Sequence, residues 1–273
     1  MNYRHAYHAG NHTEVFKHSV LCLLLEKLQL KESPFTVLDT HAGAGIYDLK
    51  SIEAAKTGEA KEGAERIFHK PVILAHGYEQ ILRQLNPFGL QFYPGSPEIV
   101  RTHLRPNDKL VACELRKDDW VLLKSWGKSD LRISIHNRDG YEAINAFVPP
   151  FTRRGLVFID PPFERADEFE MLARALNIGL KKWKTGIFVA WYPIKDKGAV
   201  LRLRKHFSPD NPPAFACEFL RETQTSDKLV GSGLLICNPP WKFDQELLQL
   251  CEELKSIIGK TGSSHSLTWW TNE

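Results

Sequence analysis

Phe35-Thr36-Val37-Leu38-Asp39-Thr40-His41-Ala42-Gly43-Ala44-Gly45 is a short apolar run that meets an acid and then a turn with two glycines. It predicts a buried strand over 35–39 leading into a glycine-rich loop. Glycine tolerates positive φ and lets a ligand approach the backbone where a side chain would obstruct it. Gly43 and Gly45 are therefore candidate cofactor-binding positions. Nucleotide, flavin and methyl-donor sites all share a G-x-G after a strand, and an ordinary tight turn has the same form. The G-x-G-x-x-G spacing of dinucleotide sites and the Lys-Ser/Thr ending of a P-loop are both missing, which disfavours those two readings.

On either side of this stretch, strands and helices alternate. Upstream, 14–31 carries Val15, Val20, Leu24, Leu25 and Leu28 near one stripe of a helix. Downstream, strands are expected at 109–115, 131–137, 155–160, 186–193, 215–221 and 232–237, with helices near 118–126, 141–147, 167–182 and 195–206. With 35–39 this makes an α/β, Rossmann-like sheet of seven strands with helices on both faces and an antiparallel last strand. Between Gly45 and Lys109 the alternation stops. A small helical insertion is expected over 47–93, within a single domain spanning 1–273.

Composition narrows the class. The chain has 273 residues, 42% hydrophobic and 25% charged, which suits a folded globular protein rather than a disordered one. No apolar run reaches the roughly 18 residues of a membrane helix. The opening residues lack a secretion signal, so a cytoplasmic location is expected. Five cysteines without a C-x-x-C argue against a disulfide framework or a zinc site. A net charge of +3 is too small to imply nucleic acid by itself. The basic clusters Arg153-Arg154, Lys181-Lys182-Trp183-Lys184 and Arg202-Leu203-Arg204-Lys205 bear on RNA only if they share a face with the cleft.

Chemistry concentrates at strand ends. Glu114 closes the second strand, where an acid can accept hydrogen bonds from ribose hydroxyls. Asp139-Gly140 follows the third, where a carboxylate can take the amino group of a cofactor's adenine. Each acid alone also fits a helix cap or a turn. After the fourth strand comes Asp160-Pro161-Pro162-Phe163. Two prolines stiffen the exit and remove two donors, leaving carbonyls free to accept. That suits an amino group: Asp160 and a carbonyl near Pro161 each take one N–H, and Phe163 offers a face on which an extruded base stacks. Asn238-Pro239-Pro240-Trp241 has nearly the same form. The ligand crevice of a wound sheet lies beside the first and fourth strands, so Asp160 is assigned the chemistry and Asn238 a structural role. The 232–237 strand is expected to form an antiparallel edge hairpin with 215–221.

Taken with the opening Tyr3-Arg4-His5, His8-Ala9-Gly10-Asn11-His12 and Lys17-His18, and with Tyr93-Pro94-Gly95-Ser96-Pro97, Arg154-Gly155 and Trp191-Tyr192-Pro193, these motifs make the chain resemble the bacterial 23S ribosomal RNA adenine-2030 N6-methyltransferase family along essentially its whole length. The resemblance implies a class I methyltransferase fold and S-adenosyl-L-methionine as methyl donor, held by His18, His41, Ser96, Glu114, Asp139 and Gly140; Lys17, next to His18, is a further candidate cofactor-binding residue. It implies Asp160 as the catalytic acceptor, with Tyr3, Pro161 and Phe163 at the substrate. It implies 23S ribosomal RNA as partner, with no metal and no membrane; a monomer is expected. Phe163 departs from the tyrosine common in amino-methyltransferases, so stacking is kept but a hydroxyl hydrogen bond is not. His8 and His12 are four apart, yet have no acidic or cysteine partner at a recognised metal spacing. Two other classes remain open: an amino-methyltransferase acting on DNA adenine or protein glutamine, and a non-catalytic RNA-binding module.

Overall fold

The computed structural model describes residues 4–70, 72–195, 197–223 and 229–271. Its strands are β1 (Thr36–Asp39), β2 (Ile46–Asp48), β3 (Phe92–Pro94), β4 (Lys109–Cys113), β5 (Ile133–His136), β6 (Gly155–Ile159), β7 (Ile187–Ile194), β8 (Ala214–Leu220), β9 (Gly231–Cys237) and β10 (Ser264–Thr271). Its helices are α1 (His12–Gln29), α2 (Ile52–Thr57), α3 (Ala64–His69), α4 (His76–Leu85), α5 (Ser96–His103), α6 (Lys117–Gly127), α7 (Gly140–Phe147), α8 (Glu168–Lys182), α9 (Lys197–His206) and α10 (Phe243–Ile258). The main sheet runs in the order β10-β8-β9-β7-β6-β1-β4-β5. Parallel pairing joins β7, β6, β1, β4 and β5, whereas β9 is antiparallel to both neighbours.

All seven expected strands are present, and β10 adds an eighth. Its alternating Ser-His-Ser-Leu pattern half-buries it against β8, so that β10 now forms the edge. The edge hairpin expected at 232–237 needs correcting in position. β8 and β9 do pair antiparallel, but β9 is threaded between β7 and β8. Every residue of Gly231-Ser-Gly-Leu-Leu-Ile-Cys237 is buried, as a run without polar alternation requires.

Helices cover both faces. Side chains of α1, α4, α5 and α10 enclose one core with the sheet, and those of α7, α8 and α9 the other. α1 begins at His12 because the Asn11 side chain accepts from the backbone N–H of Thr13 (3.0 Å) and Glu14 (2.9 Å). It is buried on more than the single stripe expected, since α4, α5 and α10 pack over what would be its solvent side. Glu14, Lys17, His18 and Ser19 go inside with the leucines. α10 was legible in the spacing of Phe243, Leu247, Leu250, Cys251, Leu254 and Ile258, all buried, although no expectation was attached to it.

Between β1 and α5 the chain forms α2, α3, α4 and a two-stranded ribbon in which Tyr47 pairs with Tyr93. One glycine is demanded by the sheet itself. Gly155 has φ +151°, and a Cβ there would lie 1.8 Å from the Thr36 carbonyl oxygen, so β1 and β6 meet only without a side chain. No helix among the described residues is long and apolar enough to cross a membrane.

Candidate active site

β1 has β6 on one side and β4 on the other, so the chain reverses its direction of winding there and leaves a crevice beyond the carboxyl ends. A cavity of about 960 Å³ occupies it. Its wall includes Lys17, His18, His41, Gly43, Ser96, Glu114, Asp139, Gly140, Asp160, Pro161 and Phe163. Residues from six separate segments are thus brought to one surface. Gly45 is not on that wall: it has φ +86°, and a Cβ there would lie 2.9 Å from the Trp126 ring. Its glycine serves the turn and the packing. Tyr3 lies outside the described residues.

The glycine turn and Glu114 organise each other. Gly43 donates its N–H to Glu114 Oε2 at 2.9 Å, and Arg116 donates its N–H to Oε1 at 2.7 Å. Each oxygen keeps a lone pair for a further donor. Burial raises the Glu114 carboxyl above its usual range, against the pull of these two amides. Asp139 caps α7 through Oδ1, which accepts from Tyr141 (2.9 Å) and Glu142 (3.1 Å). The cap and the binding role are compatible, because capping uses one oxygen. His41 Nδ1 lies 2.7 Å from the Thr40 hydroxyl, which itself donates to the Phe158 carbonyl at 3.0 Å. That direction makes Nδ1 the protonated nitrogen and leaves Nε2 as an acceptor. Burial lowers the His41 pKa to about 4, so the ring is neutral at physiological pH.

Asp160 is 143 residues from its principal partner. Lys17 of α1 donates to Asp160 Oδ2 and also pairs with Glu14. Lys17 was expected at the methyl donor; it lines the cavity, and its ammonium bridges two carboxylates. Burial opposes the charge on Lys17, but Asp160 and Glu14 outweigh it and raise its pKa. Burial likewise raises the Asp160 carboxyl above its usual range, with Lys17 pulling the other way. His5 Nε2 sits 2.7 Å from Glu14 Oε2 and extends the cluster toward the N-terminus. The Glu14–Lys17 spacing is a legible helical ion pair. Nothing local signals that both face Asp160.

Phe163 has φ +50° and packs against Phe169 (4.7 Å between ring centroids) and Trp191 (5.8 Å). Trp191 and Pro193, quoted above only for resemblance, line the cavity from β7, and the Lys17 ammonium lies 5.2 Å from the Trp191 ring centroid.

Asp39 was read only as the acid at the end of the first strand, with no role of its own. It ends β1 fully buried, and neither carboxylate oxygen has a hydrogen bond of normal geometry. Burial pushes its pKa up to about 7, and Ser96 and the backbone at His41 relieve this only in part. A carboxyl held above its unfolded value of about 3.9 contributes its stability below that value and loses it as pH rises through the folded pKa. Thermal stability is therefore expected to decline between about pH 4 and pH 7, and Asp39→Asn to flatten that decline and to melt higher than wild type at about pH 8. Melting curves across that range check this; an unchanged slope in the variant would assign the effect elsewhere.

A sequence profile described as "Ribosomal RNA large subunit methyltransferase D, RlmJ" matches residues 32–271. The chain belongs to this RlmJ family. Two relatives named Ribosomal RNA large subunit methyltransferase J match it end to end. The Escherichia coli protein is 36% identical, covering 99% of this chain and 98% of its own length, and the Haemophilus influenzae protein is 35% identical with full coverage of both. A crystal structure from Legionella pneumophila superposes with a TM-score of 0.87 at 32% identity, covering 96% of this chain and 98% of that one.

In this RlmJ-family chain the second Pro-Pro motif lies far from the cavity. Because β9 runs antiparallel, Asn238 emerges at the opposite end of the sheet, where its side-chain amide donates to the carbonyls of Lys184 (2.6 Å) and Gly186 (2.8 Å). The basic clusters at 153–154 and 181–184 precede β6 and β7, so they also sit at that end. Arg154 is engaged there by the carbonyls of Leu28 and Ser33. Arg202, by contrast, lies 5.9 Å from the ring of Phe169, which packs on the cavity residue Phe163. Among the described residues no group of three or more histidine, cysteine, aspartate or glutamate side chains is placed to hold a metal ion. The five cysteines are free and buried.

Proposed function

We propose that the chain transfers a methyl group from S-adenosyl-L-methionine to the exocyclic N6 of an adenine in 23S ribosomal RNA, adenine 2030 by the resemblance, acting as a cytoplasmic monomer in which 47–93 is inserted into one catalytic unit. The observation that carries this reading is that Asp160-Pro161-Pro162-Phe163 opens into the same cavity as Glu114 and Asp139. Membership of the RlmJ family supports the ribosomal substrate.

The donor set fits a methyl-sulfonium nucleoside. Glu114 keeps lone pairs for ribose hydroxyls, Asp139 Oδ2 is available to an adenine amino group, and Gly43 and Gly140 keep the wall low. At Gly140 a Cβ would already crowd the Thr40 carbonyl at 2.4 Å. When bound, the donor supplies an electrophilic methyl group. The protein's own part is to orient the amine. N6 is a weak nucleophile because its lone pair is delocalised into the purine ring. Asp160 and a carbonyl beside Pro161 accept its two N–H groups, favouring a pyramidal nitrogen with its lone pair aimed at the methyl. Phe163 and Trp191 supply apolar faces for a base taken out of its stack. Positive charge grows on the nitrogen during transfer, so the Asp160 carboxylate stabilises the transition state more than the ground state. Arg165 lines the cavity, where RNA phosphates would pass.

Incubation with labelled S-adenosylmethionine and undermethylated ribosomal RNA, followed by mapping of the labelled base, tests the assignment. Label on N6 of one adenine of 23S RNA is expected; label on DNA, on protein glutamine, or nowhere would overturn it. Glu114→Ala is expected to weaken donor binding about ten-fold or more, since hydrogen bonds to a charged group contribute about 1.5–3 kcal/mol. Unchanged affinity by calorimetry would remove the ribose contact.

A further inference from the structure

Three buried side chains from three elements form a line that ends at the cavity. Tyr78 of α4 and Tyr93 of β3 are fully buried, and His18 of α1 is 1% exposed. The Tyr78 hydroxyl donates to the Tyr93 oxygen at 3.3 Å, and the Tyr93 oxygen lies 2.7 Å from His18 Nδ1. With its oxygen already accepting, Tyr93 has one partner for its own proton, His18 Nδ1. A neutral imidazole that accepts at Nδ1 carries its proton on Nε2. Burial depresses the His18 pKa to about 3, so the ring is neutral. Nδ1 faces Tyr93, and Nε2 is the nitrogen left to meet the cavity that His18 lines.

We propose that Tyr93 is a positioning residue that locks His18 in the Nε2–H tautomer, so that the ring donates a hydrogen bond to the methyl donor, whose carboxylate is its strongest acceptor. This rests on the reading that the cavity binds S-adenosylmethionine. It also gives the 47–93 segment a part in the chemistry, because Tyr78 and both residues of the Tyr47–Tyr93 pairing belong to it. The lock is needed because a competitor stands close by. Glu14 Oε2 lies 4.0 Å from His18 Nδ1. Without the Tyr93 hydroxyl, that carboxylate selects the Nδ1–H tautomer and turns Nε2 into an acceptor, which repels an anionic group.

Histidine tautomers are read directly from long-range proton–nitrogen correlation spectra of nitrogen-15 histidine-labelled protein, with His18→Gln identifying the His18 signal. Wild type is expected to show Nε2–H. Tyr93→Phe is expected to move His18 toward Nδ1–H and to weaken S-adenosylmethionine binding roughly ten-fold by calorimetry. Tyr78→Phe, which leaves the Tyr93 hydroxyl in place, is expected to keep the tautomer and to bind within about three-fold of wild type. Melting curves of both variants separate these effects from misfolding. A purely structural role for Tyr93 would lower the melting temperature and leave the tautomer alone. An Nδ1–H signal in wild type overturns the proposal, as does a Tyr93→Phe protein with unaltered tautomer or unaltered affinity. If wild type takes up no donor at all, the proposed function falls, whereas the tautomer still judges the hydroxyl chain.

Discussion

Asp160→Ala is expected to lower methyl transfer by at least about a thousand-fold while leaving S-adenosylmethionine binding within a few-fold of wild type. Two effects combine. The variant removes the acceptor that holds N6 and the negative charge that offsets the cation forming on it. It also leaves Lys17, whose ammonium is shared by Asp160 and Glu14, with Glu14 as its one remaining carboxylate of the two. A cation less fully offset beside the reacting nitrogen opposes the developing charge further. Glu14 still pairs with Lys17 in the variant, so the fold is expected to survive, and the proposed donor contacts at Glu114 and Asp139 are not touched. Asp160→Asn keeps an acceptor oxygen without the charge and should fall between the two. Single-turnover rates with saturating donor and RNA, together with calorimetry, measure this. A variant within ten-fold of the wild-type rate would show that the carboxylate is not the orienting group.

Lys17→Met is expected to produce the largest loss of stability among the substitutions considered, about 3–5 kcal/mol, because it leaves the buried Glu14 carboxylate and the largely buried Asp160 carboxylate without their shared cation. For a chain of this size that corresponds to a fall in melting temperature of roughly 10 °C. Glu14 depends on the same arrangement: burial opposes its ionisation, yet His5 and Lys17 hold its carboxyl well below the usual range. Adding Glu14→Gln to Lys17→Met should therefore restore part of the loss, because one uncompensated charge is removed. Denaturant unfolding of the single and double variants gives the comparison. A Lys17→Met protein as stable as wild type would mean that the three groups do not form a buried ionic cluster.

The sequence alone placed the strand that ends in Asp39, the glycine turn, the acids after the second and third strands and Asp160 after the fourth. These are properties of short segments. Apolar runs must be buried, proline and glycine punctuate them, and the alternation of periods chooses a wound sheet whose carboxyl ends gather on one side. Asp160 could be preferred to Asn238 on that ground, and strand direction does put them at opposite ends. The tertiary structure decided what each of these groups touches. The Lys17 contact to Asp160 spans 143 residues, and the hydroxyl line from Tyr78 through Tyr93 to His18 crosses three elements. The threading of β9 between β7 and β8, with β10 on the edge, was likewise settled by which surfaces remained to be covered. Periodicity records how much of a segment is buried but not which segment buries it, so it cannot say that a lysine inside α1 meets a carboxylate at the end of β6. That choice is made when helices close over the sheet and every buried charge must find an opposite one.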